Sequence, residues 1–128
     1  MYYRRRITPR RTYPKTPKYG NHKCEADGYK FDSEYERDVY YGLKIRLSCG
    51  DISDLRLQVP FELQEKYVFK GKTVRAIKYV ADFVFVNSKG ETEVWDAKGF
   101  KTKEYQLKKK IFEYKYGIEI KEVRNKTR

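Results

Sequence analysis

Apolar side chains return every three or four residues in two parts of the chain, and each part predicts an amphipathic helix. The first helix is expected within 31–50, where Asp32 or Ser33 provides the N-cap and a glycine the C-terminal stop. The second is expected between Thr102, as N-cap, and Gly117. The apolar positions that we expect to be buried are Val39, Tyr40, Leu43 and Leu47 in the first helix, and Leu107, Ile111 and Tyr114 in the second.

Between and after the helices, apolar residues form short runs or alternate with polar ones, which is typical of β-strands. Gly71 lies between two such runs and predicts a hairpin. The run VADFVFV is almost wholly apolar, as expected for a central strand, and a turn at 87–90 leads to the next strand. We therefore expect one α/β domain with a central mixed sheet flanked by helices. The predicted strands are 55–63, 66–70, 73–79, 80–86, 91–98 and 118–123.

Two aspartates lie at strand positions where apolar residues are expected. Asp82 interrupts its strand and alternates with Val84, and Asp96 alternates with Val94 near the end of the next strand. If the two strands pair across the turn, both carboxylates lie on one face of the sheet. Burying unpaired carboxylates is costly, and two of them repel each other. Because a divalent cation removes both penalties, the pair predicts a Mg²⁺ site.

Glu36 and Lys98 have two interpretations each. Glu36 lies beside the predicted buried stripe, so it is either a third acid of this site or the glutamate of a capping box, Ser33-x-x-Glu36. Lys98 shares the face of Asp96, and it either helps to orient and deprotonate an attacking water or forms a surface ion pair at the strand end. The spacing alone does not decide between these interpretations. The set Asp82, Asp96 and Lys98 is compatible with a metal-dependent phosphodiester hydrolase.

The charge of the chain indicates the kind of partner. Lys and Arg number 30 against 18 Asp and Glu, which gives a net charge of +12, and 38% of the residues are charged. This balance favours a polyanion, with nucleic acid as the first candidate and a membrane surface as the second. No apolar run approaches the roughly 20 residues of a membrane-spanning helix. No signal peptide is recognisable after the N-terminal arginines, so we expect a protein that is neither membrane-embedded nor secreted.

The positive charge is concentrated at the two ends. Residues 1–23 hold eight Lys or Arg and no acid, which predicts a disordered DNA-binding arm or, alternatively, only a solubilising terminus. Residues 24–97 have eleven bases and fourteen acids, whereas 98–128 have eleven bases and four acids. This pattern suits a protein that binds phosphates at its edges and cations at its centre. The arginines of the arm that we expect to contact phosphates are Arg4, Arg5, Arg6, Arg10 and Arg11.

Cysteine and histidine are too rare for a zinc site. Cys24 and Cys49 are 25 positions apart, without CxxC spacing, and His22 is the single histidine. A disulfide between the two cysteines is an alternative, but two free thiols in a reducing compartment are favoured. Any metal is therefore expected to be a hard cation bound by carboxylates.

The pattern formed by Asp82 and by the tripeptide DAK at 96–98, with Glu36 on a preceding helix, resembles the PD-(D/E)XK nuclease superfamily. Ala81 stands where the superfamily's name has proline. Over about 23–117, the chain also resembles a family of small phage proteins placed in that superfamily, some of them described as Holliday-junction resolvases. The segments that carry this resemblance are FDSEYERDVYYGLKIRLSCGDISDLRLQVPFEL, KYVADFVFV, VWDAKG and KTKEYQLKKKIFEYKYG.

The resemblance implies a restriction-endonuclease-like core and catalytic roles for the matching residues. Asp82 and Asp96 would bind Mg²⁺ directly, or Mn²⁺ in its place. The carbonyl of Ala97 would join them, and Glu36 would assist directly or through water. Lys98 would be the catalytic lysine.

The resemblance also implies which residues lie near DNA. Gln58 corresponds to a recurrent glutamine that orients water or DNA, with a polar strand-edge residue as the alternative. Gln106, Lys109 and Lys110 of the second helix correspond to positions near the phosphate backbone. Lys110 falls beside the predicted buried stripe, so we expect it to point towards the sheet. The solvated face of this helix is expected to hold Lys103 and Lys108.

The sequence therefore favours a Mg²⁺-dependent, structure-specific DNA endonuclease with an arm at 1–23 and a nuclease domain at 24–128. The resemblance implies a phage Holliday-junction resolvase in the cytoplasm of a bacterial host. Symmetric cutting of a four-way junction requires two active sites, so a homodimer is expected. The alternatives are a general or single-strand nuclease in phage replication or packaging, an RNA-binding protein, and a catalytically silent DNA-binding module. Acids close to phosphates argue against the silent module.

Overall fold

The structure, a computed structural model, describes residues 23–97 and 102–124. The described chain forms one α/β domain, in which four of the strands make a central mixed sheet flanked by two helices. The predicted fold class is therefore confirmed. The elements in chain order are β1 (Cys24–Ala26), β2 (Tyr29–Phe31), α1 (Glu34–Ser48), β3 (Ser53–Gln64), β4 (Tyr67–Phe69), β5 (Lys72–Val74), β6 (Ile77–Val86), β7 (Thr92–Asp96), α2 (Lys103–Tyr116) and β8 (Ile120–Glu122).

The central sheet has the strand order β3-β6-β7-β8. β6 pairs with β3 and with β7 in antiparallel fashion, whereas β7 and β8 are parallel. A parallel pair needs a crossover connection, and α2 provides it between β7 and β8. The sheet is mixed for this reason, with its two longest strands, β3 and β6, forming one long antiparallel ribbon.

The two short hairpins lie outside the central sheet. β1 and β2 were not predicted, because each has only three residues, although their Asp27-Gly28 turn carries the positive φ angles (54° and 84°) that a two-residue hairpin turn requires. The hairpin predicted around Gly71 is present as β4 and β5. Its second strand stops at Val74, however, and residues 77–79, which we assigned to it, belong to β6.

α1 begins at the cap that the sequence offers. Ser33 has an extended backbone (φ −153°), and its Oγ accepts the backbone N–H three residues later at 3.1 Å. Tyr40 and Leu43 are buried against the sheet, as predicted. Leu47 is exposed, so its place in the predicted buried stripe is wrong. Ile52, just beyond the helix, is buried in the core cluster that α1 covers.

α2 has the predicted caps but buries a different face. Thr102 is the N-cap, and Gly117 ends the helix in the left-handed conformation with φ 70°. Leu107 is exposed and Tyr114 is 92% exposed, so two of the three residues of the predicted stripe are wrong. Phe112 is fully buried instead, because its ring packs against the rings of Phe61, Tyr79 and Tyr116.

The core consists of two clusters on opposite faces of the central sheet, because neighbouring residues of a strand point to opposite faces. α1 covers the first cluster and α2 the second. The first cluster comprises Phe31, Tyr40, Leu43, Ile52, Phe83, Phe85 and Ala97. The second comprises Leu63, Tyr79, Ala81, Val84, Val94, Phe112 and Ile120.

Strands β3 and β6 both change face at one level of the sheet. Leu57 packs against the first cluster and Val59 against the second, although residues two apart in a regular strand share a face. β6 changes in the same way, since Ala81 belongs to the second cluster and Phe83 to the first. In β3 the residue at this level, Gln58, has a left-handed backbone with φ 53°, which interrupts the alternation.

Two expectations from composition can be compared with the described residues. In 23–97 and 102–124, no helix has the length and apolar character needed to cross a membrane. Cys24 and Cys49 are free thiols, in agreement with the favoured interpretation.

Candidate functional site

Asp82 and Asp96 lie where β6 and β7 stop pairing. The last pair in the β6–β7 register is Phe83 with Trp95, one residue before each aspartate. Both side chains are buried, and Asp96 is only 1% exposed. Instead of continuing the ladder, Asp82 Oδ2 accepts the backbone N–H of Ala97 at 2.7 Å. The structure therefore brings the two predicted acids to the same end of adjacent strands.

Tyr79 is hydrogen-bonded to Asp96 and lies close enough to Asp82 to be affected by its charge. Its hydroxyl donates to Asp96 Oδ2 at 2.8 Å, and its side chain is buried. Burial raises the pKa of this tyrosine far above its ordinary value, and the charges of Asp96 and, to a smaller extent, Asp82 raise it further. The hydroxyl thus stays protonated as a donor to Asp96, and both carboxylates are near enough to act on it.

Glu36 is the capping glutamate of α1 and also lies beside Asp82. Its Oε1 accepts the backbone N–H of Asp32 at 3.1 Å, while Ser33 Oγ accepts the N–H of Glu36, so it is part of the cap of α1. Its carboxyl group is also buried and hydrogen-bonded with Asp82. Burial first, and then the charge of Asp82, raise the pKa of Glu36 to about 8. The capping glutamate is therefore a neighbour of Asp82.

Gln58 lies on the other side of β6, at the level of Asp82. Its flanking residues form the pairs Leu57–Phe83 and Val59–Ala81, so the β3–β6 register sets Gln58 opposite Asp82. Its side-chain Nε2 donates to the carbonyl of Lys30 in β2 at 3.1 Å. A left-handed conformation costs an ordinary residue about 1–2 kcal/mol, so the backbone at this position is strained. Such strain is concentrated at functional sites.

A second polar group, which the sequence analysis missed, surrounds Glu122 of β8. Glu122 pairs with Asp96 in the β7–β8 register. Its Oε2 accepts the hydroxyl of Tyr105 at 2.8 Å and the Nζ of Lys109 at 3.1 Å. Burial, and then the hydrogen bond to Glu122, raise the pKa of Tyr105. The available signal was that Glu122 alternates with the apolar Ile120, so that both point towards α2.

The lysines of α2 face different directions from those expected. Lys109 is half-buried and reaches the sheet through Glu122. Lys110 is exposed, so the expectation that it points towards the sheet is wrong. Lys108 is half-buried and pairs with Glu104 at 3.2 Å, whereas we expected it on the solvated face with Lys103. These errors have one cause, the rotation of α2 that buries Phe112. Gln106 is exposed.

The remaining predicted residues lie outside the described ranges. They are Lys98, for catalysis, and Arg4, Arg5, Arg6, Arg10 and Arg11 of the arm at 1–23.

The carboxylates of this site are the ligand type that a hard cation prefers, but they are few in number. Among residues 23–97 and 102–124, no three His, Cys, Asp or Glu side chains are arranged as a metal-binding group. Mg²⁺, however, is usually bound by one or two carboxylates, and water or phosphate oxygens complete its shell. Asp82 and Asp96 are such a pair, and Glu36 lies beside Asp82 with a pKa that burial, and then the charge of Asp82, raise to about 8. Mg²⁺ binding remains a prediction.

Comparison with known proteins gives a family. The profile of a family described as "Protein of unknown function (DUF1064)" matches residues 16–126. The chain belongs to the DUF1064 family. The matched range of DUF1064 spans every described strand and helix, together with Lys98. No curated protein and no solved structure matches the chain.

Proposed function

We propose that this protein is a Mg²⁺-dependent, structure-specific DNA endonuclease that resolves four-way junctions. The observation that carries the proposal is the grouping of buried acids where β6 and β7 stop pairing. Asp82 and Asp96 are both buried there, and Glu36 is hydrogen-bonded with Asp82. This grouping agrees with the resemblance to PD-(D/E)XK nucleases.

A cation provides a physical reason for this grouping. Buried carboxylates that repel each other lower the stability of a fold unless a proton or a cation balances their charge. At neutral pH a proton is retained by Glu36, whose pKa is about 8. A bound divalent cation would remove the need for that proton. The site thus has the electrostatics of a centre that gains from binding Mg²⁺.

Asp82 and Asp96 would hold the Mg²⁺, with Glu36 and the Ala97 carbonyl as further oxygen donors. When bound, the ion would lower the pKa of water and balance charge on the phosphate. The protein's own hydrogen bonds orient the donors, since the Ala97 N–H fixes one oxygen of Asp82 and the Tyr79 hydroxyl fixes one oxygen of Asp96. Lys98 would position the attacking water and accept its proton.

DNA is the substrate class that the charges favour. The chain carries a net charge of +12, and its acids are concentrated in the middle segment that contributes Glu36, Asp82 and Asp96. The exposed Lys110 on α2 would bind the phosphate backbone, and so would the basic residues in the sequence of 1–23. Symmetric cutting of a four-way junction would need two copies of the site, and hence a homodimer. We place this activity in the cytoplasm of a bacterial host, as part of phage DNA recombination.

The proposal is tested by incubating the full chain with a labelled four-way junction, a duplex and a single strand, each with Mg²⁺ or with a chelator. Paired nicks in the junction, dependent on Mg²⁺, are the expected result. Cutting of all three substrates would instead favour a general nuclease. Binding without any cutting would favour the silent DNA-binding module and overturn the proposal.

A further inference from the structure

The hairpin formed by β4 and β5 exposes apolar side chains that the nuclease site does not use. It forms a two-stranded sheet of its own, separate from the central sheet. Three successive residues of β4 are exposed: Tyr67, Val68 at 69% and Phe69 at 58%. Because neighbouring strand residues point to opposite faces, both faces of this hairpin carry exposed apolar groups. A group of this kind marks an interaction site more often than a random surface does.

The same hairpin is strongly basic. The segment 65–78 contains one acidic residue, Glu65, and five basic residues, which are Lys66, Lys70, Lys72, Arg75 and Lys78. Lys70 lies at the tip, where it and Gly71 both have positive φ angles of 52° and 78°. Its Nζ lies 5.5 Å from the centroid of the Phe69 ring. The tip therefore presents an aromatic ring and an ammonium group together.

We propose that this hairpin binds DNA at a branch point, with Phe69 stacking on a base that lacks a stacked neighbour and Lys70 and Lys72 contacting the adjacent phosphates. The inference rests on the proposed function and deepens it, because it names the element that recognises branched DNA. Aromatic stacking together with positive charge is the usual way to bind unstacked bases. An uninterrupted duplex offers no such base to Phe69.

Charge complementarity favours DNA over a second copy of the chain as the occupant. If two hairpins met across a dimer interface, each would contribute five basic residues and one acidic residue, and their positive charges would repel each other. DNA phosphates, in contrast, are attracted to each of these Lys and Arg side chains.

The position of the hairpin along β6 suits this role. Ile77, the first residue of β6, is five residues from Asp82, which corresponds to roughly 17 Å of extended strand. The hairpin continues the β3–β6 ribbon beyond this point, since Gln64 pairs with Ile77. Its tip is at most about 20 Å further along the chain. Branch and cut site would therefore lie within roughly one helical turn of DNA, about 34 Å.

The test compares Phe69→Ala and Phe69→Trp with the wild type in chelator, so that no strand is cut. Tyr114→Ala removes another exposed aromatic side chain, from α2, and serves as the control. Binding of a four-way junction and of a duplex of equal length is measured by fluorescence anisotropy, with 2-aminopurine beside the branch point. Phe69→Ala should weaken junction binding on the order of tenfold and leave duplex binding unchanged. It should also abolish the change in 2-aminopurine fluorescence that accompanies binding of the wild type. Phe69→Trp and Tyr114→Ala should behave as wild type.

Three results would overturn the inference: no preference of the wild type for the junction, unchanged junction binding by Phe69→Ala, or conversion of a dimer to a monomer by Phe69→Ala in sedimentation. Cleavage in Mg²⁺ is measured separately. If the wild type cuts no DNA but Phe69→Ala still loses junction binding selectively, the nuclease proposal fails and the hairpin inference stands. If the wild type cuts junctions and Phe69→Ala binds them normally, the hairpin inference alone fails.

Discussion

The carboxyl groups of Glu36 and Asp82 are hydrogen-bonded to each other, one from the first turn of α1 and the other from the middle of β6. Glu36 is held at its other side by the backbone N–H of Asp32. The cap of α1 thus fixes an acid beside the aspartate of the central strand. Because burial, and then the charge of Asp82, raise the pKa of Glu36 to about 8, Glu36 retains a proton up to about that pH.

The first prediction concerns the pH dependence of stability. The pKa of Glu36 is raised from 4.5 to about 8, so between these values the folded protein holds a proton that the unfolded chain has lost. The free energy of unfolding should therefore fall as pH rises from about 4.5 to about 8. Glu36→Gln is neutral throughout and should be more stable than wild type at pH 8 by roughly 4 kcal/mol, but similar at pH 4.5. Urea unfolding at several pH values measures this difference.

Glu34→Gln is the matched control, because Glu34 is exposed in the same turn of α1. It should leave the pH profile of stability unchanged. A Glu36→Gln variant whose stability follows the wild-type profile at every pH would contradict the hydrogen-bonded pair of Glu36 and Asp82.

The second prediction concerns the strained backbone of Gln58. Gln58→Ala loses the bond to the Lys30 carbonyl and keeps the left-handed conformation, whereas Gln58→Gly loses the same bond but relieves the strain. The glycine variant should therefore be more stable than the alanine variant by about 1 kcal/mol. Gln64 lies in the same strand without a positive φ, so Gln64→Ala should be more stable than Gln64→Gly. Thermal unfolding of the four variants decides, and equal stability of the two Gln58 variants would refute the strain.

The third prediction separates the two neighbouring lysines of α2. Lys109→Met removes one of the donors to the half-buried Glu122, which keeps the Tyr105 hydroxyl, and should lower the free energy of unfolding by about 1 kcal/mol. Lys110→Met should change it by less than about 0.5 kcal/mol. If exposed Lys110 contacts a phosphate, its loss should reduce the slope of log K against log salt for DNA binding by about 1. Lys89→Met, in the β6–β7 turn, is the control for that slope.

Much of the fold could be predicted from the sequence because several strands, turns and helix caps have unambiguous local signals. The apolar run around Asp82 and the turn at 87–90 require an antiparallel pair with the strand that contains Asp96, and this pair exists as β6 and β7. The caps Ser33 and Thr102 have the side chains that helix starts require, and both act as N-caps. These features depend on local chemistry, which a single sequence contains.

The interactions of Asp96 with Tyr79 could not be predicted, because they depend on the change of face in β3 and β6. A regular alternation sets Tyr79 and Phe83 on one face of β6, yet they belong to opposite core clusters. The change accompanies a left-handed residue, Gln58, and a glutamine gives no sequence signal for a positive φ.

The rotation of α2 was missed for a different reason. Two stripes at helical spacing compete in its sequence, one with Leu107 and Tyr114 and the other with Tyr105 and Phe112. Both are apolar enough to be buried. The choice depends on tertiary packing, in which the Phe112 ring lies 5.0 Å from Phe61 of β3, centroid to centroid. Periodicity within the helix contains no information about that contact.

The central claim is tested most directly by the rate of junction cleavage in Mg²⁺ for Asp82→Asn, Asp96→Asn and the control Asp54→Asn. Asp54 is an exposed aspartate of β3 with φ 53°, which asparagine tolerates. The two site variants should cut at least about 100-fold more slowly than wild type while they still bind the junction, and the control should cut normally. Cleavage by either site variant at the wild-type rate would contradict the assignment of Asp82 and Asp96 to a nuclease centre.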